Sequence, residues 1–176
     1  MNFLKSILVS VALLVAASSA NAATGTYTDL GKIAVLDIAE IDLGLNAYTA
    51  TVKPVGEFNH SFIFTLPELA DVSATLNNIV VQFPGFDVFN IAGATYSILN
   101  SSNDVLGSAA AGTSFNVSGL AAGQYTFNVV GTTTGIAGGT YGFAINVTPV
   151  PEPSSVAMLL VGFAALGAVA RRRKTL

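Results

Sequence analysis

The sequence predicts an all-β protein whose central part folds as an antiparallel β-sandwich or a jelly roll. Two observations support this prediction. Short runs of aromatic and β-branched residues follow one another along residues 57–147, and segments rich in Gly, Thr, Asn and Ala separate them. No long amphipathic helical pattern lies between these runs, so the strands must bury their apolar faces against a second sheet.

The clearest strand is predicted at residues 57–66. Alternation along this run places five residues on one apolar face: Phe58, His60, Phe62, Phe64 and Leu66. Further strands are predicted at residues 71–81, 94–99, 113–117, 124–130 and 140–147. The segments 119–123 and 131–139 are short enough to connect antiparallel neighbours. Residues 33–52 are less regular and could hold two edge strands.

The N-terminal 22 residues have the pattern of an export signal. Lys5 supplies the positive charge, residues 7–17 form an apolar stretch, and Ala20 and Ala22 form an A-x-A cleavage pattern. We therefore expect a signal peptide that the secretion machinery uses and a signal peptidase removes. The mature chain is expected to begin at Ala23.

The segment 149–176 forms a second targeting region, which leaves residues 23–148 as the exported β domain. It contains a proline-rich break, an apolar run and a cationic cluster, in this order: Val150-Pro151-Glu152-Pro153, residues 156–170, and Arg171-Arg172-Arg173-Lys174. As a helix, the apolar run would rise about 23 Å, so we expect a short membrane anchor. The cations are expected to stay in the cytoplasm, because moving each one through hydrocarbon costs about 2.5–3.5 kcal/mol.

These three parts, in this order and at the end of the chain, resemble the PEP-CTERM sorting signal of Gram-negative bacteria. The resemblance implies that an exosortase, a membrane-embedded cysteine protease, recognises the Pro-Glu-Pro segment and removes the anchor. It also implies that the β domain is first held in the periplasm at the inner membrane. The protein would then reach the cell surface or extracellular matrix and associate with exopolysaccharide in a biofilm. An ordinary single-pass anchor is the alternative.

The β domain carries a second resemblance. Phe58-Asn59-His60-Ser61-Phe62, together with residues 122–129 and 138–141, is similar to the FxDxF-type PEP-CTERM proteins. The outline is also similar to the β-sandwich appended to secreted bacterial peptidases. His60 occupies the position of the Asp in the named motif, so the role of that Asp is not transferred to this chain.

The exported part of the chain is acidic and contains no cysteine. Between residues 23 and 150, nine acidic residues stand against two lysines, which gives a net charge of −7. Nucleic-acid binding is disfavoured, because no basic stripe is present to neutralise phosphates. Disulfides are excluded, so the domain has to be stabilised by its core or by a ligand.

Catalytic residues are scarce in this chain. One histidine and no cysteine exclude a Cys–His pair and a zinc site, and a Ser–His–Asp triad would have to be built around His60. His60 lies among phenylalanines in the strand alternation. We therefore expect a partly buried or strand-end histidine that bonds to the backbone, no enzymatic activity and no cofactor.

A candidate calcium site lies near the start of the domain, although the sequence pattern that indicates it is weak. Asp37, Glu40 and Asp42 lie within six positions and could supply carboxylate oxygens to Ca²⁺. A solvated acidic edge is the favoured interpretation, since charges on edge strands suppress aggregation. No metal site is therefore predicted beyond this candidate.

A candidate sugar-binding loop follows Pro84-Gly85. It contains three aromatic and two polar residues: Phe83, Phe86, Phe89, Asp87 and Asn90. Core packing is the favoured explanation for these phenylalanines, and the absence of Trp weakens the case for an aromatic sugar platform. The leading expectation is therefore a non-catalytic surface or matrix protein. The alternative is a carbohydrate- or Ca²⁺-binding module at the cell surface.

Overall fold

The computed structural model describes residues 23–53 and 55–151, together with residues 158 and 160–163. The expected signal peptide, the cationic cluster 171–174 and most of the expected helix 156–170 lie outside the described residues. Among the described residues, no helix reaches the length and apolarity that a membrane crossing requires. The fold of the described domain is all-β, as the sequence predicts.

The described part of the chain contains twelve strands. In chain order they are β1 (Thr24–Leu30), β2 (Ile33–Glu40), β3 (Gly44–Val52), β4 (Gly56–Leu66), β5 (Ala70–Ile79), β6 (Val81–Phe83), β7 (Phe86–Phe89), β8 (Ile91–Leu99), β9 (Val105–Ala110), β10 (Ser114–Leu120), β11 (Gly123–Thr133) and β12 (Gly139–Pro149). Every run predicted as a strand overlaps one of them. The sequence does not predict β1, β6, β7 or β9 as separate strands, because β1 has few apolar residues, β9 is rich in small residues, and β6 and β7 are very short.

Ten of these strands form two five-stranded sheets. Sheet 1 has the order β1-β3-β12-β5-β10, sheet 2 has the order β2-β4-β11-β8-β9, and β6 pairs with β7 in a separate hairpin. Without β1 and β2, each sheet has four strands. Most connections then cross from one sheet to the other, and the first strand β3 pairs with the last strand β12. This strand order is that of a jelly roll.

The connections correct one expectation of the sequence analysis. The segments 119–123 and 131–139 do not join antiparallel neighbours, because β10 and β12 lie in sheet 1 whereas β11 lies in sheet 2. Among the described strands, only β6–β7 and β8–β9 are consecutive strands that pair. A short loop suits either a hairpin or a passage between packed sheets, so its length did not decide between them.

The edges of the sheets give a second correction. Of the two edge strands expected within residues 33–52, β2 does lie at an edge, but β3 lies between β1 and β12. Both β1 and β2 run parallel to their neighbours, β3 and β4 respectively, while the other paired strands are antiparallel. The sandwich is therefore antiparallel except at these two edges.

The core lies between the two sheets and is rich in aromatic rings. Phe143 of β12 lies with its ring centroid 4.6 Å from the rings of both Phe62 on β4 and Phe127 on β11. It also stacks on Tyr48 at 5.0 Å. All five residues of the predicted apolar face of β4 are buried, which confirms the alternation. Aromatic contacts of this kind add to the free energy gained by burying apolar surface.

Strand direction defines two ends of the sandwich. Pro149 at the end of β12 pairs with Ala70 at the start of β5, and Thr140 at the start of β12 pairs with Ile79 at the end of β5. These two levels lie about 30 Å apart along the strands. The chain leaves the domain after Pro149, at what we call the anchor end. The β6–β7 hairpin follows the end of β5 and so belongs to the opposite end, the hairpin end.

Candidate functional site

The β6–β7 hairpin exposes two aromatic side chains. Phe83 is 58% exposed and Phe86 is 48% exposed, and their rings stack with centroids 5.9 Å apart. Gly85 occupies the turn between them with a φ of 95°, a conformation that favours glycine. Core packing, the favoured explanation from the sequence, is wrong for these two phenylalanines. Phe89, in contrast, is half-buried.

The polar residues of the predicted sugar loop hold the hairpin in place. The Asp87 carboxylate accepts hydrogen bonds from Gln82 Nε2 and Asn90 Nδ2, each at 2.7 Å. Asn90 Oδ1 in turn accepts from Asn78 Nδ2 at 3.0 Å. The backbone N–H of Ile136 donates to the carbonyl oxygen of Asp87 at 3.0 Å, which ties the hairpin to the segment before β12. These hydrogen bonds stabilise the β6–β7 hairpin that carries the two stacked phenylalanines.

His60 is fully buried in the middle of β4, rather than partly buried or at a strand end as the sequence suggests. Its Nε2 lies 2.7 Å from the carbonyl oxygen of Gly31, and its Nδ1 lies 2.8 Å from the Tyr141 hydroxyl. Because a carbonyl oxygen only accepts, Nε2 carries the proton, and Nδ1 accepts the hydrogen bond from Tyr141. The predicted backbone bond of His60 is confirmed.

The surroundings of His60 favour its neutral form. Burial lowers the pKa of His60 below its ordinary value of 6.5, and the hydrogen bond to Gly31 opposes this shift. Burial also raises the pKa of the Tyr141 hydroxyl, so this group remains a donor. Both ring nitrogens of His60 are engaged by Tyr141 and Gly31, neither of which is the Ser or the acid of a catalytic triad.

The buried histidine makes stability depend on pH. The unfolded state binds a proton below about pH 6.5 while folded His60 stays neutral, so stability is lost as the pH falls from there towards the lowered pKa. We expect the slope to increase as the pH falls below 6.5, towards a limit of about 1.4 kcal/mol per pH unit. Urea unfolding between about pH 7.5 and 5.5 measures it. A His60→Gln variant should be less pH-dependent, and equal slopes for the two proteins would refute this account.

The three acidic residues considered for calcium lie around the end of β2. Asp37 is exposed within β2, and Asp42 is exposed in the connection to β3, while the side chain of Glu40 lies outside the described part. The backbone oxygen of Asp42 accepts a hydrogen bond from Asn46 Nδ2 at 2.8 Å. Where side chains are described, no group of three or more His, Asp or Glu could hold a metal ion. The calcium site stays a prediction.

The Pro-Glu-Pro segment begins where a central core strand ends. Val147 of β12 is buried, and the N–H of Val150 donates to the carbonyl oxygen of Leu69 at 3.0 Å. Pro151 follows at once and is exposed. Its nitrogen carries no hydrogen, so it cannot donate a further ladder bond. The rest of the segment lies outside the described residues. No spacer separates the folded domain from Pro151.

Residues 149–174 match the family model of the PEP-CTERM protein-sorting motif. The chain carries a PEP-CTERM sorting signal. The match spans the Pro-Glu-Pro segment, the expected anchor 156–170 and the cationic cluster 171–174, and so confirms the resemblance of this region. It indicates an exported protein that an exosortase processes. Since the match ends at the sorting signal, the FxDxF-type resemblance of the β domain stays a prediction.

Comparison with curated proteins gives no match to the sequence. Several solved structures are similar in fold to the β domain of this chain. The periplasmic g-type lysozyme inhibitor PliG of Aeromonas hydrophila is 8% identical, with a TM-score of 0.47 over 68% of this chain and 100% of that chain. The pre-peptidase C-terminal domain of a Bacillus anthracis collagenase is 14% identical, with a TM-score of 0.40 over 64% and 94%. The Yersinia pseudotuberculosis-derived mitogen is 12% identical, with a TM-score of 0.42 over 64% and 93%.

Proposed function

We propose that the protein is a non-catalytic surface or extracellular-matrix protein that is cut at the Pro-Glu-Pro segment and then associates with exopolysaccharide. The observation that carries this proposal is the sorting motif at residues 149–174, which directly follows a folded β domain. A signal peptidase acts first, after Ala22. The anchor then holds the domain at the inner membrane until an exosortase-type protease removes it.

The geometry of the domain supports a function that the domain performs away from the membrane. The sorting signal leaves from the anchor end, and the exposed Phe83–Phe86 pair lies at the hairpin end. His60, the only histidine of the sequence, is buried in the core. After release from the membrane, the domain is therefore suited to binding through its exposed surfaces, and not to catalysis with a histidine as the base.

The intact mass of the natively expressed protein tests the processing step. In cells that make the exosortase, we expect the secreted form to end near Pro151 and to lack the cluster 171–174. A double variant, Pro151→Ala with Pro153→Ala, is expected to keep the cluster because the extended segment before the anchor is lost. Pro84→Ala, which changes a proline of the distant hairpin, is the control and should be processed normally. Native protein that retains the cluster in such cells would contradict the proposal.

A second candidate function is carbohydrate binding by the hairpin. The observation that favours it is the exposed, stacked pair of Phe83 and Phe86, because aromatic faces pack against the apolar faces of sugar rings. The pair lies on a hairpin braced by Asp87, so little ordering is needed on binding. A glycan array probed with the native protein and with a Phe83→Ala, Phe86→Ala double variant tests this candidate. Equal signals from the two proteins would remove it.

A further inference from the structure

The outer face of sheet 2 carries two grooves that meet. One groove, of about 580 Å³, is lined by residues of β2, β4, β8 and β11, among them Ile33, Asn59 and Thr132. The other, of about 500 Å³, is lined by residues of β8, β9 and β11, among them Ser97 and Ser108. Val130 of β11 lines both. Together they form a surface that crosses all five strands of the sheet, which we call the sheet 2 trough.

Strand register arranges the trough as a polar row beside a more apolar row. The polar row consists of Asn128, Ser97 and Ser108, which line the second groove, and it continues on β4 with Ser61, the partner of Asn128 in the strand register. Three strand spacings make this row about 14 Å long. The adjoining row contains Ile33, Asn59, Val130, Thr95 and Ala110. Hydrogen-bonding groups and exposed aliphatic groups thus lie side by side across the strands.

A bulge lies in the trough between β8 and β11. The register shifts between Val130 and Thr132, so that an additional residue of β8 stands opposite β11. Gly93 lies at this shift with a φ of 61°, and a β-carbon there would meet no atom within 4 Å. The groove therefore has open space where the two strands separate.

The polar groups of the trough are available to a ligand. Thr95, Ser97 and Ser108 make no side-chain hydrogen bond within the described part of the chain. Asn128 is held in place, since its Nδ2 donates to Asn59 Oδ1 at 2.6 Å and to Ser61 Oγ at 3.1 Å. A ligand would therefore meet free hydroxyl groups beside a fixed amide.

We propose that the sheet 2 trough binds a neutral polysaccharide chain that lies across the strands. Sugar hydroxyls match the hydroxyl and amide groups of the polar row, and the apolar faces of sugar rings match Val130 and Ile33, which are 41% and 80% exposed. This inference rests on the proposed association with exopolysaccharide and names the surface that makes the contact.

The charge of the domain and the residues that line the trough favour a neutral polysaccharide over a polyanion or a protein. The only charged residues that line the two grooves, Lys32 and Glu57, occupy the first groove, and the exported domain as a whole is acidic, so a polyanion is repelled. Surfaces that bind proteins are enriched in exposed aromatic and Arg side chains. Phe58 and Tyr96, the aromatic residues of the lining, are buried. Weak contacts repeated along a polymer add up through multivalency.

Affinity electrophoresis of the secreted protein in gels containing a neutral glucan, a neutral mannan or alginate tests the proposal. We expect a neutral polymer to retard the native protein and alginate to leave it unaffected. Ser97→Arg places a long cation across the trough and should weaken retardation about tenfold or more. Asn77→Arg is the matched control, because Asn77 faces outward on β5, an inner strand of sheet 1 as β8 is of sheet 2. If Ser97→Arg does not fold, Ser108→Arg on the edge strand β9 replaces it.

The proposal is supported if Ser97→Arg or Ser108→Arg abolishes the retardation and Asn77→Arg does not. Absence of retardation by both neutral polymers, or equal retardation of the native protein and the trough variants, would overturn it. Retardation lost only in the Phe83→Ala, Phe86→Ala double variant would assign the glycan to the hairpin instead and would also overturn the proposal. The intact mass of the same samples reports processing separately, so failure of the trough and failure of the sorting proposal are distinguishable.

Discussion

Replacing Phe127 with alanine is expected to lower the free energy of unfolding by about 3–5 kcal/mol. Phe127 is fully buried on β11, with its ring 4.6 Å from Phe143 and 5.4 Å from Tyr96. It lies where the two sheets face each other, and both β11 and β12 are central strands. Neighbouring side chains are therefore held on paired strands and can close the resulting cavity only in part.

Urea unfolding of the native and variant proteins measures this loss. Phe83→Ala provides a matched control, since it removes the same side chain from an exposed position. We expect the control to change stability by less than about 0.5 kcal/mol. The loss would also be a large fraction of the 5–15 kcal/mol that is usual for a domain. Similar losses for the two variants would contradict the assignment of Phe127 to the core.

Replacing Gly138 with alanine is expected to cost about 3 kcal/mol or more. Gly138 has a φ of 102°, and a β-carbon on it would overlap the carbonyl oxygen of Val52. That oxygen cannot withdraw easily, because Val52 is paired with Gly139 at the start of β12. The carbonyl oxygen of Gly138 also accepts a hydrogen bond from the N–H of Asn90 at 3.2 Å. Because Asn90 also bonds to Asp87 of the β6–β7 hairpin, the substitution would disturb the hairpin as well.

Gly85→Ala separates the two causes of this loss. Gly85 has a similar φ of 95°, but a β-carbon there meets no atom within 4 Å. This control should therefore carry only the backbone strain, about 1 kcal/mol. The difference between the two melting or urea transitions reports the collision with Val52. If Gly138→Ala were no more destabilising than Gly85→Ala, the close approach of these backbones would be wrong.

Local pattern was sufficient for the sorting signal and for the strands with strong alternation. The sorting signal is a linear sequence of proline, apolar and cationic residues, so it is readable without the fold. The face of β4 from Phe58 to Leu66 was also predicted, because a period of two places its apolar residues on one side. The absence of cysteine and the acidic charge of the domain follow from composition alone.

Which strands lie side by side depended on contacts between distant parts of the chain. His60 meets Tyr141, which lies 81 residues away, and only this packing buries the ring completely. The jelly-roll order placed β10 and β11 in different sheets, although a short loop joins them. Tertiary structure also left Phe83 and Phe86 in solvent, while Phe127 and Phe143 fill the core. Residue type sets how much free energy burial can provide, and the arrangement of the sheets decides which side chains are buried.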